Sequence, residues 1–265
     1  MKQSLIISCP ASSRSGYGDH SRDLIRSLIQ MDKFDIKIMD QRWGTCPRTE
    51  LKNNSDIAQL LLPQGPINYK PDVWIQVTVP NEFQPVGKYN IGITAGIETD
   101  RVAPEWIQGC NRMDMIIVPS HHSKVGLEQT AYDQKNEQNQ VVGNLKLEKP
   151  VHVLMEGLDT NIFDKTSIEE LPANIISDLN TIDEQFCFLV CGHWLRGEFG
   201  HDRKDLGGTL QTFLHTFKGM KEKPAMVMKI SSATFSVTDR EEMLNRIQAI
   251  KNTLKIPHEE LPNVY

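Results

Sequence analysis

The sequence predicts an α/β protein made of two successive parallel-sheet units. Three observations predict it: short apolar runs of strand type, helical stretches alternating with them, and a polar interval that divides the series. Strands separated by helical stretches imply βαβ connections, and those connections imply parallel pairing.

Leu5-Ile6-Ile7-Ser8-Cys9 is a short apolar run stopped by Pro10, as expected of a buried strand. A loop of small residues follows, Ala11-Ser12-Ser13-Arg14-Ser15-Gly16-Tyr17-Gly18. Leu24, Ile25, Leu28 and Ile29 then recur at helical spacing, with Asp19 or Ser21 placed to cap. Phe34-Asp35-Ile36-Lys37-Ile38-Met39 alternates like a half-buried strand. Pro71-Asp72-Val73-Trp74-Ile75-Gln76-Val77 and Tyr89-Asn90-Ile91-Gly92-Ile93-Thr94 are further strands. Met115-Ile116-Ile117-Val118 ends in Pro119-Ser120, where a helix should start, and Val151-His152-Val153-Leu154 completes the first series.

Residues 164–184 are polar, helix-permissive and poor in strand formers, and read as a connector. The expected division is therefore 1–165, a linker at 166–184, and 185–265. The rhythm restarts with Phe186-Cys187-Phe188-Leu189-Val190-Cys191, read as a strand buried on both faces, and a helix over 206–217. Met226-Val227-Met228-Lys229-Ile230 and a helix over 240–254 follow, and Pro262-Asn263-Val264-Tyr265 resembles the opening of a third strand. Two strands and a stub leave an apolar face and an open edge, so the second unit is expected to be incomplete and to continue past Tyr265.

Composition narrows the function. Hydrophobic residues at 39% supply a core without staples, and a formal charge of −5 argues against a surface that coats nucleic acid. Five cysteines form no dense framework, so reduced thiols are expected. No apolar run approaches the ~20 residues that span a bilayer. Met1-Lys2-Gln3-Ser4 leads into a strand without a signal-peptide core, so a cytoplasmic protein is expected.

Several segments together resemble the GT-B glycosyltransferases of the retaining GT4 family. They are Ser15-Gly16-Tyr17-Gly18 with Ser21-Arg22, and Gly96-Ile97-Glu98-Thr99-Asp100 with Pro104-Glu105-Trp106, Met113-Asp114 and Val118-Pro119-Ser120. Val153-Leu154-Met155-Glu156-Gly157-Leu158-Asp159 with Phe163, and Gly192-His193-Trp194 with Arg203-Lys204, complete the likeness. The family's paired glutamates of the second domain have no counterpart before Tyr265. The resemblance implies two Rossmann-like domains, acceptor-side then donor-side, with a UDP- or GDP-linked sugar held between them. It also implies transfer with retention and no metal or cofactor. Trp74-Ile75-Gln76-Val77-Thr78-Val79-Pro80-Asn81-Glu82-Phe83 is similar in style to proteins of large tailed phages, some of which glycosylate modified DNA bases. The implied acceptor is a glycan or a hydroxymethylated DNA base.

Loss of a nucleotide diphosphate builds charge on phosphate oxygens, which fixed cations and backbone dipoles can meet. Arg203 and Lys204 stand just before the helix at 206–217, where a guanidinium fork, an ammonium and helix N–H groups could converge on phosphate. A solvated basic pair at a loop end is the plain alternative. Gly16 and Gly18 permit positive φ and close backbone approach to a ligand, or form an ordinary loop with Tyr17. His20 could touch a donor phosphate or acceptor, or be structural.

Glu98 and Asp100 could orient the acceptor hydroxyl, and Glu98 could stabilise positive charge at the sugar carbon, while Thr99 or Asp100 could simply cap the helix entered at Pro104. Glu98-Thr99-Asp100 is not the Asp-x-Asp clamp of metal-dependent transferases. Cys187, Cys191 and His193 fit core packing better than a metal site. Among the tryptophans, Trp43, Trp74, Trp106 and Trp194, the last is the candidate sugar or nucleotide platform. Arg14, Arg22, Arg42, Arg48 and Lys52 could line an acceptor-facing basic strip, although Arg22 and Arg26, four apart on a helix, read more readily as a solvated helix face.

Two rival functions remain. A dinucleotide fingerprint would read Gly16-x-Gly18-x-x-Ser21, lacking its third glycine and separated from its strand by residues 10–15, with Asp40 the supporting acid. An NAD(P)-dependent oxidoreductase is therefore the lesser reading. The other rival is a non-catalytic sugar- or partner-binding protein.

Overall fold

The computed structural model describes residues 2–63, 65–194, 202, 204–232 and 238–265. The chain divides into two compact units, Met1–Asp159 and Thr160–Tyr265.

In the first unit the chain runs β1 (Gln3–Cys9), α1 (Gly16–Met31), β2 (Phe34–Asp40), α2 (Ser55–Ala58), β3 (Val73–Val77) and β4 (Tyr89–Ile93). It continues through α3 (Pro104–Asn111), β5 (Met115–Val118), α4 (His121–Gln129), β6 (Ala131–Lys135), β7 (Val141–Lys146) and β8 (Val151–Val153). Six strands form one parallel sheet in the order β2-β1-β3-β4-β5-β8, and β6 and β7 form a separate antiparallel hairpin.

Period two along β1 explains the layering. Leu5, Ile7 and Cys9 pack on one face with Ile25 of α1 and Ile57 of α2. Ile6 points to the other face, where it joins Ile107 and Cys110 of α3 and Leu127 of α4. A parallel sheet covered on both faces needs such continuous apolar strands, which is why β1 is unbroken in apolar character from Leu5 to Ile7.

The helix α1 begins earlier than its capping candidates suggest. Ser15 is the cap, in extended conformation, and its hydroxyl accepts from Gly18 N at 3.1 Å. Asp19 and Ser21 are already helical. Ser120 caps α4 in the same way through Ser123 N.

The second unit contains α5 (Ala173–Leu179), β9 (Cys187–His193), α6 (Leu206–Phe217), β10 (Ala225–Ser231) and α7 (Asp239–Thr253). β9 and β10 pair in parallel. Beyond β10 the chain end pairs as a further strand would: Met226 N donates to Asn263 O at 3.0 Å, and Tyr265 N donates to Met226 O at 2.9 Å. Leu210, Phe213 and Leu214 of α6 pack with Met226, Met228, Met243 and Ile250. β9 is not buried on both faces as its composition suggests. Leu189 is 67% exposed, Phe186 and Cys191 are exposed, and Cys187 is half-buried, so the expected core role of these cysteines is corrected.

Candidate functional site

The strand order reverses direction between β1 and β3, since β1 is followed by β2 on one side and by β3 on the other. Ligands of open parallel sheets bind beyond the carboxyl ends of the strands at such a switch point. The β1–α1 loop, residues 10–15, lies there, and its shape is set by a buried cation. Arg22 Nη1 donates to the carbonyl oxygens of Ala11 at 2.7 Å and Ser13 at 3.0 Å, and Nη2 pairs with Asp19. Arg22 is thus buried in loop and helix, not displayed on a solvated face or basic strip.

Gly16, Tyr17, Gly18 and His20 all fall at the start of α1. The two glycines do not adopt positive φ. Gly18 is needed for packing: a β-carbon there would lie 2.2 Å from Ser13 O and 2.7 Å from its hydroxyl. Its amide is spent on the Ser15 cap, so it is not open to a ligand. Gly16 faces open space, with nothing within 4 Å of a would-be β-carbon.

Tyr17 gathers distant segments of the same edge. Its ring stacks on Trp43, with centroids 4.1 Å apart. Its hydroxyl lies 3.2 Å from Thr94 Oγ1 and accepts from Ala95 N at 3.0 Å, just past β4. Burial raises the phenol pKa; hydrogen bonds to Thr94 and Ala95 oppose the rise, and the charges of Glu156 and Glu82 add to it. Glu82 accepts from Thr78 Oγ1 at 2.5 Å, and His20 Nδ1 stands 3.8 Å from Glu156 Oε1. The sequence assigns no site role to Glu82 or Thr94. What joins them to Tyr17 is tertiary.

Glu98 lies exposed on the loop after β4. That loop leaves the strand through Gly96, whose φ of +80° and whose approach to Ser123, 2.3 Å from a would-be β-carbon, both require glycine. Helix α3 starts on Ala103 with Pro104 at its first position, and neither Thr99 nor Asp100 caps it. Thr99 donates instead to Arg101 O at 2.9 Å.

Asp40 ends β2, where a dinucleotide-binding protein holds a ribose. Here its carboxylate accepts from Ser12 N at 2.9 Å, Ser12 Oγ at 2.5 Å and Arg48 Nη2 at 2.6 Å. Arg48 is therefore committed to Asp40, and the expected basic strip loses a second member.

In the second unit, Lys204 stands at the carboxyl end of β9, with its aliphatic stem lying across Gly192. Asp205 caps α6 by accepting from Gly208 N at 3.1 Å, and the buried Asp202 accepts from Leu206 N at 3.3 Å. Arg203 lies outside the described residues. Trp194 does not fit the platform role expected of it. It is 1% exposed, packs with Leu206, Leu210 and Met243, and lies under Arg246, whose Cζ is 5.7 Å from the ring centroid. Arg246 also donates to Trp194 O at 2.7 Å. A ring held this way has no free face for a sugar or base.

Among the described residues, no three His, Cys, Asp or Glu side chains are grouped to hold a metal ion, and no helix is long and apolar enough to cross a membrane.

Comparison with known proteins gives a likeness of fold. No family model and no curated protein matches the chain. A solved structure of OtsA in its apo form superposes over 100% of this chain and 73% of its own, with a TM-score of 0.51 and 11% identity. OtsA is a trehalose-6-phosphate synthase, a glycosyltransferase of the GT-B fold. The fold of the present chain is accordingly α/β, with a parallel six-stranded sheet flanked by helices, and resembles GT-B.

Proposed function

We propose that the chain is a glycosyltransferase that moves a sugar from a nucleotide-diphosphate donor to an acceptor hydroxyl, with retention and without a metal. The observation that carries the reading is the full-length likeness of fold to a GT-B glycosyltransferase. The sequence motifs that resemble the retaining GT4 family support it independently.

In this reading the second unit, Thr160–Tyr265, is the donor side. Lys204 sits at a strand's carboxyl end next to Asp205, the cap of α6, where its ammonium could meet an anion. It would meet the charge that develops on the departing diphosphate, together with Arg203. Glycosyl transfer with retention on one face of the sugar needs no separate strong base, which leaves Glu98 to orient the acceptor or to stabilise positive charge at the sugar carbon.

The first unit would be the acceptor side. The charges of Glu82 and Glu156 act on Tyr17, while Arg22 and Arg48 are paired with Asp19 and Asp40. Such an edge suits a neutral glycan hydroxyl better than a polyanion, so the glycan is favoured over a modified DNA base. An oxidoreductase reading is less well supported, because Asp40 already holds Ser12 and Arg48.

The reading is tested by thermal-shift and donor-hydrolysis measurements across UDP- and GDP-linked sugars, with NAD and NADP as controls. Stabilisation and slow hydrolysis by one nucleotide-sugar class is the expected result. Stabilisation by NAD or NADP alone would overturn it.

A further inference from the structure

Gly192 is the penultimate residue of β9 and pairs in register with Ile230 of β10. A β-carbon on it would lie 2.7 Å from Cδ of Lys204, 3.3 Å from Cε and 3.6 Å from Nζ. Carbon atoms in contact normally sit ~3.5–4.0 Å apart, so the lysine stem occupies the space that any other side chain would take. The backbone of Gly192 is not in the positive-φ region, so its conformation does not demand glycine. In a strand interior glycine is a weakening choice, with no side chain to pack. The one thing this glycine provides is room.

We infer that Gly192 is a positioning residue for Lys204. Its missing side chain lets the lysine stem lie flat across the end of β9 and fixes the ammonium beside the start of α6. This rests on the glycosyltransferase reading, in which that ammonium faces the donor diphosphate. The three atoms nearest a β-carbon at 192 all belong to the flexible part of a lysine, so the strand stays intact and the ammonium moves. Function and stability should therefore respond in opposite senses, which separates this role from a packing role.

The test is a cycle of G192A, K204A and the double variant, measuring Tm, kcat and donor KM on the full chain. G192A is expected to melt at or above the wild-type temperature while kcat falls by about tenfold, less than the ~100-fold typical of deleting a charge-stabilising group outright. In the K204A background, adding G192A should change kcat by less than about twofold, because the two act as one unit. G192A with wild-type kcat beside an inactive K204A overturns this inference alone. So does a G192A defect that persists in full without Lys204, or one explained by loss of Tm. K204A with wild-type turnover overturns the parent reading and this inference with it.

Discussion

Arg22 reaches back from α1 to the carbonyl oxygens of Ala11 and Ser13, at 2.7 and 3.0 Å, and so ties the helix to the loop that precedes it. Replacing it by leucine leaves both oxygens buried without a donor, at roughly 1–3 kcal/mol each. R22L is expected to lose about 2–6 kcal/mol in urea titration with an unchanged m value. R22K, a point charge in place of a fork, should fall between it and wild type. A loss under about 0.5 kcal/mol would show that the loop does not depend on this side chain.

The two glycines of the loop motif should behave differently. G16A adds a methyl group to open space in a helix and is expected to be neutral or to stabilise by up to about 1 kcal/mol. G18A drives a methyl group into Ser13 O and should cost about 1–3 kcal/mol. Thermal melts of the pair decide it, and equal effects would contradict the packing role of Gly18.

Asp72 links stability to pH. Its carboxyl is lowered to about 2, first by the hydrogen bond from Lys88 Nζ at 2.7 Å, then by those from Ser4 N and Oγ, each at 2.9 Å. A depressed folded-state pKa contributes stability that is complete above the unfolded value near 3.8 and fades as pH falls toward 2. D72N should therefore melt below wild type at pH 6, with the gap closing between about pH 4 and 2. A gap independent of pH would reject the linkage.

Trp194 is expected to act in the core. W194A should cost about 3–5 kcal/mol of stability. W194F, which keeps most of the packing, should leave donor KM within about twofold, a shift worth no more than ~0.4 kcal/mol. A large rise in donor KM for W194F at unchanged Tm would restore the platform role.

These contrasts mark what the sequence could reveal. The helix at Leu206–Phe217 was readable because its apolar spacing is strong, and α4 because Ser120 stands where its cap is needed. The start of α1 was not, because Gly16 and Gly18 dilute the helical signal just where Ser15 caps it. The β6–β7 hairpin escaped notice because Tyr132-Asp133-Gln134-Lys135 is polar and largely exposed, with no apolar alternation. Whether Trp194 faced the core or a ligand depended on Arg246, 52 positions later, and the Tyr17 contact with Thr94 spans 77 positions. Motifs place residues at the right edge of a sheet, but long-range packing decides which are free to act. The expected burial of Cys191 fell short for a related reason: strand composition alone does not say which faces are covered.

The central claim is that a cation at the end of β9 meets the leaving diphosphate. Multiple-turnover kinetics of K204A with the preferred nucleotide sugar, read beside its melting temperature, test it most directly. The expected result is a kcat reduced by about 100-fold or more with Tm within a few degrees of wild type. Turnover close to wild type, or a melting collapse large enough to account for the loss, would contradict it.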